Sequence, residues 1–529
     1  MKHGATTGGR KAWRMLFLAA GICLAAPGWG APGAGSAWAA AQPELAGTVS
    51  LRVTAQSYDV VMPWLKNPEQ TLQGTALVVQ GQHLLTTADM VKNATLIEVR
   101  KFGRYPDYPA RAVQVDYAAN LALLAVDAPE FWQGLGPLPL GAPDATPEAF
   151  TISRWRGSGR FEQGAGGVVD YTVAPSRFGT LELPVLRGTT SMGGLGWSEV
   201  MTVAGHVIGL VTSHDGQEVQ AVPAGILHLF LEAAQQQLYP GFAQRGFSWQ
   251  RINNPSLRAQ LGLPADGQGV LILSTAPSGM GARTLRAGDI LTKLGPYTVD
   301  PEGLIDHPLF GRVLFPAALN ESLQPTIPVD VVRGGKLEHL ELRRSRVSSE
   351  DYRVHPYVFD LPADYEVQGG LVLQELSATY LKAWGNPWSE RAPPRLVTEA
   401  ILHGVRDKDQ PPEKLVFVSK VLPDPANLGY DDVQDAIVTR VNGKPVRSLT
   451  DLREALLHPV DGYQVLEMRP WQSRARVVFQ ADQLQAANAR IRQRYGLPER
   501  PVPAKSLAAS GHAEAAHTSS NAGGWAVAR

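Results

Sequence analysis

The residues with the clearest chemical potential lie between Gly188 and Trp197, in the run Gly-Thr-Thr-Ser-Met-Gly-Gly-Leu-Gly-Trp. Its one serine, Ser191, carries a hydroxyl that attacks a carbonyl carbon only when a neighbouring base takes the proton. Met192, beside it, carries a thioether with no ionisable proton and cannot act in that way. Hydroxyl catalysis further requires a base titrating near neutral pH and a carboxylate that fixes the base's tautomer. The loop itself must present backbone N–H groups to a developing oxyanion.

Several short strands have to position such a loop. The Gly-rich turn feeds the apolar stretch Met201–Val203, and after a break His206–Ser213 reads His-Val-Ile-Gly-Leu-Val-Thr-Ser, the pattern of a loop presented on a β-hairpin. Upstream, Gly74–Val79 and His83–Thr87 read as strands joined by Gln80-Gly81-Gln82. Strands follow at Thr95–Lys101, Ala110–Val115 and Asn120–Asp127, and Gly225–Gln237 has helical periodicity after Val222-Pro223.

These texts resemble the HtrA/Deg family of trypsin-like serine proteases. There the nucleophile loop reads Gly-Asn-Ser-Gly-Gly-Pro ahead of Val-Ile-Gly-Ile, and the first barrel carries Leu-Thr-Asn-Ala-His-Val-Val and Asp-Leu-Ala-Leu-Leu-Lys-Val. The corresponding text here is Leu85–Val91 and Asn120–Val126, with further likeness through Glu130–Trp132 and Pro137–Gly141. The resemblance puts Asp89 at the general-base histidine and Asn120 at the orienting aspartate. Registered on Gly193-Gly194, it puts Met192 at the nucleophile, so all three catalytic positions are substituted. Thr190, Met192 and Gly193 form the expected oxyanion loop, with Thr190 in place of a flexible glycine and Leu195 in place of proline. A shifted register would make Ser191 the nucleophile, with no histidine at the required place, since His83 and His206 fall elsewhere in the pattern.

Beyond Tyr239 the resemblance continues into two PDZ-like α+β domains, closest to the plant-type Deg proteases. The first runs through Asn254–Leu263, Gly269–Ile272 and Leu285–Leu291, and its peptide-binding edge is expected at Phe247, Ser248, Trp249 and Gln250. The cluster Arg343–Arg346 reads as a solvated surface run rather than an anion site. The second carries Gly369–Ser377, Leu415–Leu422 and Val441-Asn442-Gly443-Lys444-Pro445-Val446, an Asn-Gly hairpin followed by a helix at Ser448–Leu457 and a closing helix at Ala481–Tyr495. In that family the second module serves assembly more than capture. Asp431 and Asp432 read as helix-start charges rather than a metal pair.

The chain of 529 residues has 49 Lys+Arg against 49 Asp+Glu, so no global field draws it to nucleic acid. The expected architecture is mainly β: a signal peptide over 1–41, a degenerate trypsin-like double β-barrel over 42–240, PDZ domains over 241–348 and 349–500, and a disordered tail over 501–529. Basic residues before Met15–Ala26 and small-residue sites near Ala39–Ala41 fit export across the inner membrane to a periplasm. The mature chain has no spanning segment, and Cys23 is poorly placed for lipidation because Ile22 precedes it. The resemblance implies binding of extended or unfolded polypeptides and a trimer-based homo-oligomer, or a mixed oligomer with an active Deg protease. No metal or cofactor is expected. Two alternatives stay open: an active endopeptidase using Ser191, and a purely structural assembly protein.

Overall fold

The computed structural model describes residues 43–498, apart from 142–146, 180, 265, 277–278, 347–350, 403–412 and 470–474. The expected signal peptide, Cys23 and the C-terminal tail lie outside the described residues. The described chain is mainly β, with a trypsin-like pair of barrels followed by two further β-rich units.

The first barrel closes in the order β1 (Thr48–Ala55), β2 (Gln70–Val79), β3 (His83–Thr86), β6 (Leu121–Ala125), β5 (Tyr108–Asp116) and β4 (Ala94–Arg100). Alternation decides which face turns inward: Val49, Leu51 and Val53 of β1 are buried while Arg52 is exposed. The second barrel closes in the order β10 (Val200–Val203), β11 (His206–Asp215), β12 (Glu218–Pro223), β9 (Glu182–Thr190), β8 (Phe161–Pro175) and β7 (Ala149–Trp155). Ala204 and Gly205, both at positive φ, make the two-residue turn between β10 and β11. Gly166 and Gly188 leave room for the Phe150 ring, which lies across both backbones. Between the barrels, Leu77, Leu85 and Leu121 of the first meet Val200, Val207 and Leu210 of the second. The helix Ala224–Ala234 adds Ile226, Leu227 and Phe230 to that shared core.

The middle unit is a sheet in the order β13 (Phe247–Gln250), β14 (Val270–Thr275), β15 (Ile290–Leu294), β19 (Thr326–Arg333) and β20 (Lys336–Arg343), with β16 (Tyr297–Thr298) paired to β15. A separate hairpin, β17 (Leu304–His307) with β18 (Gly311–Leu314), covers its core through Ile305 and Val313. Arg344 corrects the solvated-surface expectation: it donates to the carbonyls of Ser322 and Gly241 and to Asn320 Oδ1, and burial lowers its pKa. It is an internal strut.

The C-terminal unit combines the sheet β21 (Tyr365–Gln368), β22 (Leu371–Glu375) and β23 (Val416–Val421) with a second in the order β25 (Lys444–Pro445), β24 (Val438–Val441), β26 (Tyr463–Met468), β27 (Arg476–Gln480). Asn442 and Gly443, at φ 50° and 76°, form the turn that the Asn-Gly pair predicts. The helix Ala481–Tyr495 closes the unit. Asp431 and Asp432 open a single 3-10 turn, Asp431–Val433. Among the described residues no helix is long and apolar enough to cross a membrane, and no group of three or more ligating side chains could hold a metal.

Candidate functional site

Asp89 and Asn120 are brought together at the rim of the first barrel. Asp89 sits in the one-turn helix Ala88–Val91 that follows β3, and Asn120 stands just before β6, at φ 57°. Both are buried, 5% and 3% exposed, and Asn120 Oδ1 accepts the Asp89 backbone N–H at 2.9 Å. The Asp89 carboxylate faces two cations. Lys92 pairs with Oδ1 from one helical turn on, and Arg177 Nε lies 2.7 Å from Oδ2, reaching over from the loop between β8 and β9. A carboxylate shared between two cations has its lone pairs engaged in charge-assisted contacts.

Met192 is seated apart from this pair. Its side chain packs over Gly164 of β8 and joins the apolar cluster of Phe150, Ile152 and Met201 inside the second barrel. Ser191 follows the last residue of β9 and is exposed, as is Gly193. Thr190 is buried and turned inward, its hydroxyl donating to the Ala165 carbonyl at 2.8 Å and accepting from Met192 N–H at 3.2 Å. The stretch that meets the first barrel comes later in the loop. Ser198, fully buried, hydrogen-bonds the Thr86 hydroxyl and both N–H and hydroxyl of Thr87, and the Trp197 carbonyl accepts from Thr75 N–H at 3.2 Å. Gly196, at φ 112°, lies between these contacts and the backbone of Ser213 and His214.

Two buried charged residues hold this loop from opposite sides, and neither was found by pattern. Arg154 of β7 donates from Nη1 to the carbonyls of Gly193 and Gly194, each at 2.9 Å. Glu199 Oε2 accepts the N–H groups of Gly196 and Trp197, each at 2.9 Å. Burial pushes the Glu199 pKa up, while those N–H groups and the Arg154 charge pull it down. The loop's N–H groups therefore already point at a carboxylate of the chain itself. An acid two residues after the Gly196-Trp197 pair was the local signal available; Arg154 and Arg177 act from distant parts of the second barrel and left none. His214 was missed as well: its Nε2 is enclosed and has no hydrogen-bond partner among the described residues.

The expected peptide edge is the outer strand of the middle sheet, since among the described residues β13 pairs only with β14. Phe247 is buried, Trp249 is half-buried against Phe315, and Ser248 and Gln250 are exposed, with the Ser248 hydroxyl on that of Ser274. In the C-terminal unit the comparable edge is filled. β21 lies antiparallel along β22, and Arg453 of the helix Leu449–Leu456 clamps it through both oxygens of Asp364 at 2.7 and 2.9 Å, Glu366 at 3.2 Å and the Tyr365 carbonyl at 2.8 Å.

A PDZ domain family model matches residues 354–501. The homologues over most of the chain are Deg/HtrA-type proteases. The chain is 23% identical to protease Do-like 2, chloroplastic, of Arabidopsis thaliana over 460 residues, 85% of this chain and 74% of that protein. It is 25% identical to putative protease Do-like 3, mitochondrial, of the same plant over 74% of this chain and 68% of that one. Among solved structures, the HtrA-type protease AlgW with decapeptide is similar at 16% identity and a TM-score of 0.42, covering 57% of this chain and 97% of that one.

Proposed function

We propose that this Deg/HtrA homologue is an exported pseudoprotease that holds extended or unfolded polypeptide in protein quality control. It acts as a trimer-based oligomer or as the regulatory partner of an active Deg protease, in a periplasm reached through the N-terminal basic and apolar segment. The observation that carries the reading is the state of Asp89. At the general-base position stands a buried carboxylate bound by Lys92 and Arg177, with Asn120 holding its backbone N–H. A carboxylate engaged in this way stands where hydroxyl activation calls for an imidazole.

Two further facts support the same conclusion. The loop segment in contact with the first barrel is Trp197-Ser198, so the residue just before it, Gly196, which has no side chain, replaces Met192 as our assignment of the nucleophile position. The neighbouring N–H groups that would receive an oxyanion bind Glu199 instead. Capture of extended chain is assigned to the outer edge of β13, where an added strand finds unpaired backbone groups beside the Trp249 and Phe315 rings.

The test is cleavage of reduced casein by the purified protein beside Ser191→Ala, with a serine-reactive phosphonate probe. No turnover and no label are expected, together with saturable casein binding. Turnover that disappears in Ser191→Ala, with label on Ser191, would overturn the reading in favour of an active endopeptidase. Intact oligomers that bind no casein would leave only a structural assembly protein.

A further inference from the structure

A cavity of about 380 Å³ opens at the seam between the first barrel and the C-terminal unit, away from the β13 edge. The barrel side supplies Ser57, Tyr58, Asn67 and Lys92, the β8–β9 loop supplies Phe178, and residues 356–383 supply the opposite wall, including Phe359, Leu361, Tyr380 and Lys382. The walls are held in place on both sides. Asn93 and Asp360 exchange two hydrogen bonds, 2.7 Å from Asn93 N–H to Asp360 Oδ1 and 2.8 Å from Asp360 N–H to Asn93 Oδ1. The rings of Tyr117, Phe178, Tyr357 and Phe359 pack together behind them, with centroid separations of 5.0 to 6.1 Å. A site of this size, mostly apolar with a few polar groups, has the dimensions of a small-ligand pocket.

Its charges are unevenly placed. Lys92 is paired with Asp89, and the Asp59 carboxylate is turned to the Val61 and Met62 N–H groups at 2.8 and 2.7 Å. Lys382 is exposed to the cavity, and its ammonium has no hydrogen bond or ion pair among the described residues. Its surroundings lower its pKa, first by burial and then through the charges of Arg177 and Lys92. An anion placed there would relieve that crowding while its uncharged part met the aromatic wall.

We propose that this cavity binds a carboxylate on an apolar stem, with the carboxylate on Lys382 and the stem against Phe178, Phe359 and Leu361. Two sources share that chemistry: the C-terminus of a peptide ending in an apolar residue, and a free organic acid. Because its walls come from the barrel and from the C-terminal unit, a bound ligand ties the two together and raises the temperature at which they separate.

Calorimetric titration of the full chain tests this with acetyl-Ala-Ala-Phe and 3-phenylpropionate, each beside its amide. Both acids should saturate, each amide should bind at least about tenfold more weakly, and Lys382→Gln should abolish the preference while Lys382→Arg keeps it. Ala383→Trp, at the cavity wall, should block all four ligands. Tighter binding of the peptide assigns the site to chain ends, and tighter binding of phenylpropionate assigns it to free acids. Equal binding of acid and amide, no saturable binding of either acid, or a preference that survives in Lys382→Gln would overturn the proposal. None of these readouts depends on proteolysis, and loss of binding in Ala383→Trp separates the cavity from the β13 edge.

Discussion

The middle unit and the C-terminal unit treat the same structural hazard in opposite ways. An outer strand exposes a row of N–H and C=O groups that will pair with any extended chain. In the middle unit β13 is left as that outer strand, with Trp249 and Phe315 beside it. In the C-terminal unit the chain supplies its own partner, β21, and locks it with the Arg453 fork on Asp364 and Glu366. The difference teaches that strand order alone does not say whether an edge is open, and that the residues flanking the edge decide it. Asp364 and Glu366 lie next to a strand too short to stand out, and they set the outcome.

Core truncation separates the two units most strongly. Phe315→Ala removes a fully buried ring that packs against both Phe247 and Trp249, and should cost about 3–5 kcal/mol and abolish casein binding with the middle unit's transition. Phe417→Ala, equally enclosed in the C-terminal unit, should cost a similar amount in its own transition yet leave casein binding intact. If both variants lose binding, capture does not belong to β13. Arg453→Ala comes next. It frees a half-buried guanidinium site shared by two carboxylates, for about 1–2 kcal/mol after allowance for solvent screening. Amide exchange over Leu371–Glu375 should quicken as β21 detaches, and casein should then protect those amides.

Ser448→Ala is smaller, about 1 kcal/mol in the midpoint of denaturant unfolding, because Ser448 Oγ accepts the Asp451 N–H at 3.0 Å at the start of the clamping helix. Smallest is the pH effect of Glu199→Gln. Glu199 has a folded pKa raised by burial above its ordinary value of 4.5, so its contribution to stability is full below that value and is lost as pH rises through the folded pKa. Glutamine carries no charge to bury. Melting temperatures of variant and parent should therefore move in the variant's favour between about pH 4 and pH 8. A gap that is constant with pH would mean Glu199 is ionised at no cost.

Much of the scaffold was legible because its cues are local. The strand pair Gly74–Val79 and His83–Thr87, the Asn442-Gly443 turn and the Ala481–Tyr495 helix each declare themselves within a few residues. The long strand β8 hid because Gly164, Gly166 and Gly167 argue against a strand, until Phe150 and Met192 from other elements fill the space above them. The site was half legible. Asp89 and Asn120 stand just after β3 and just before β6, beside patterned strands, and do meet. Met192 was drawn to the nucleophile position by a Gly-Gly pair, yet its half-buried side chain packs against the apolar cluster of the second barrel. Arg177, Arg154 and Arg344 act on distant backbone or carboxylates, and no spacing rule reaches that far.

The clasp between Asn93 and Asp360 joins residues 267 apart in sequence. At a synthesis rate of about 5–20 residues per second, Asn93 leaves the ribosome roughly 13–53 s before Asp360 does. Until the end of that interval Tyr117 and, once made, Phe178 have no Tyr357 or Phe359 to cover them. A nascent chain of this protein therefore presents an aromatic face to whatever escorts it, and its biogenesis depends on that face staying single until the later residues arrive.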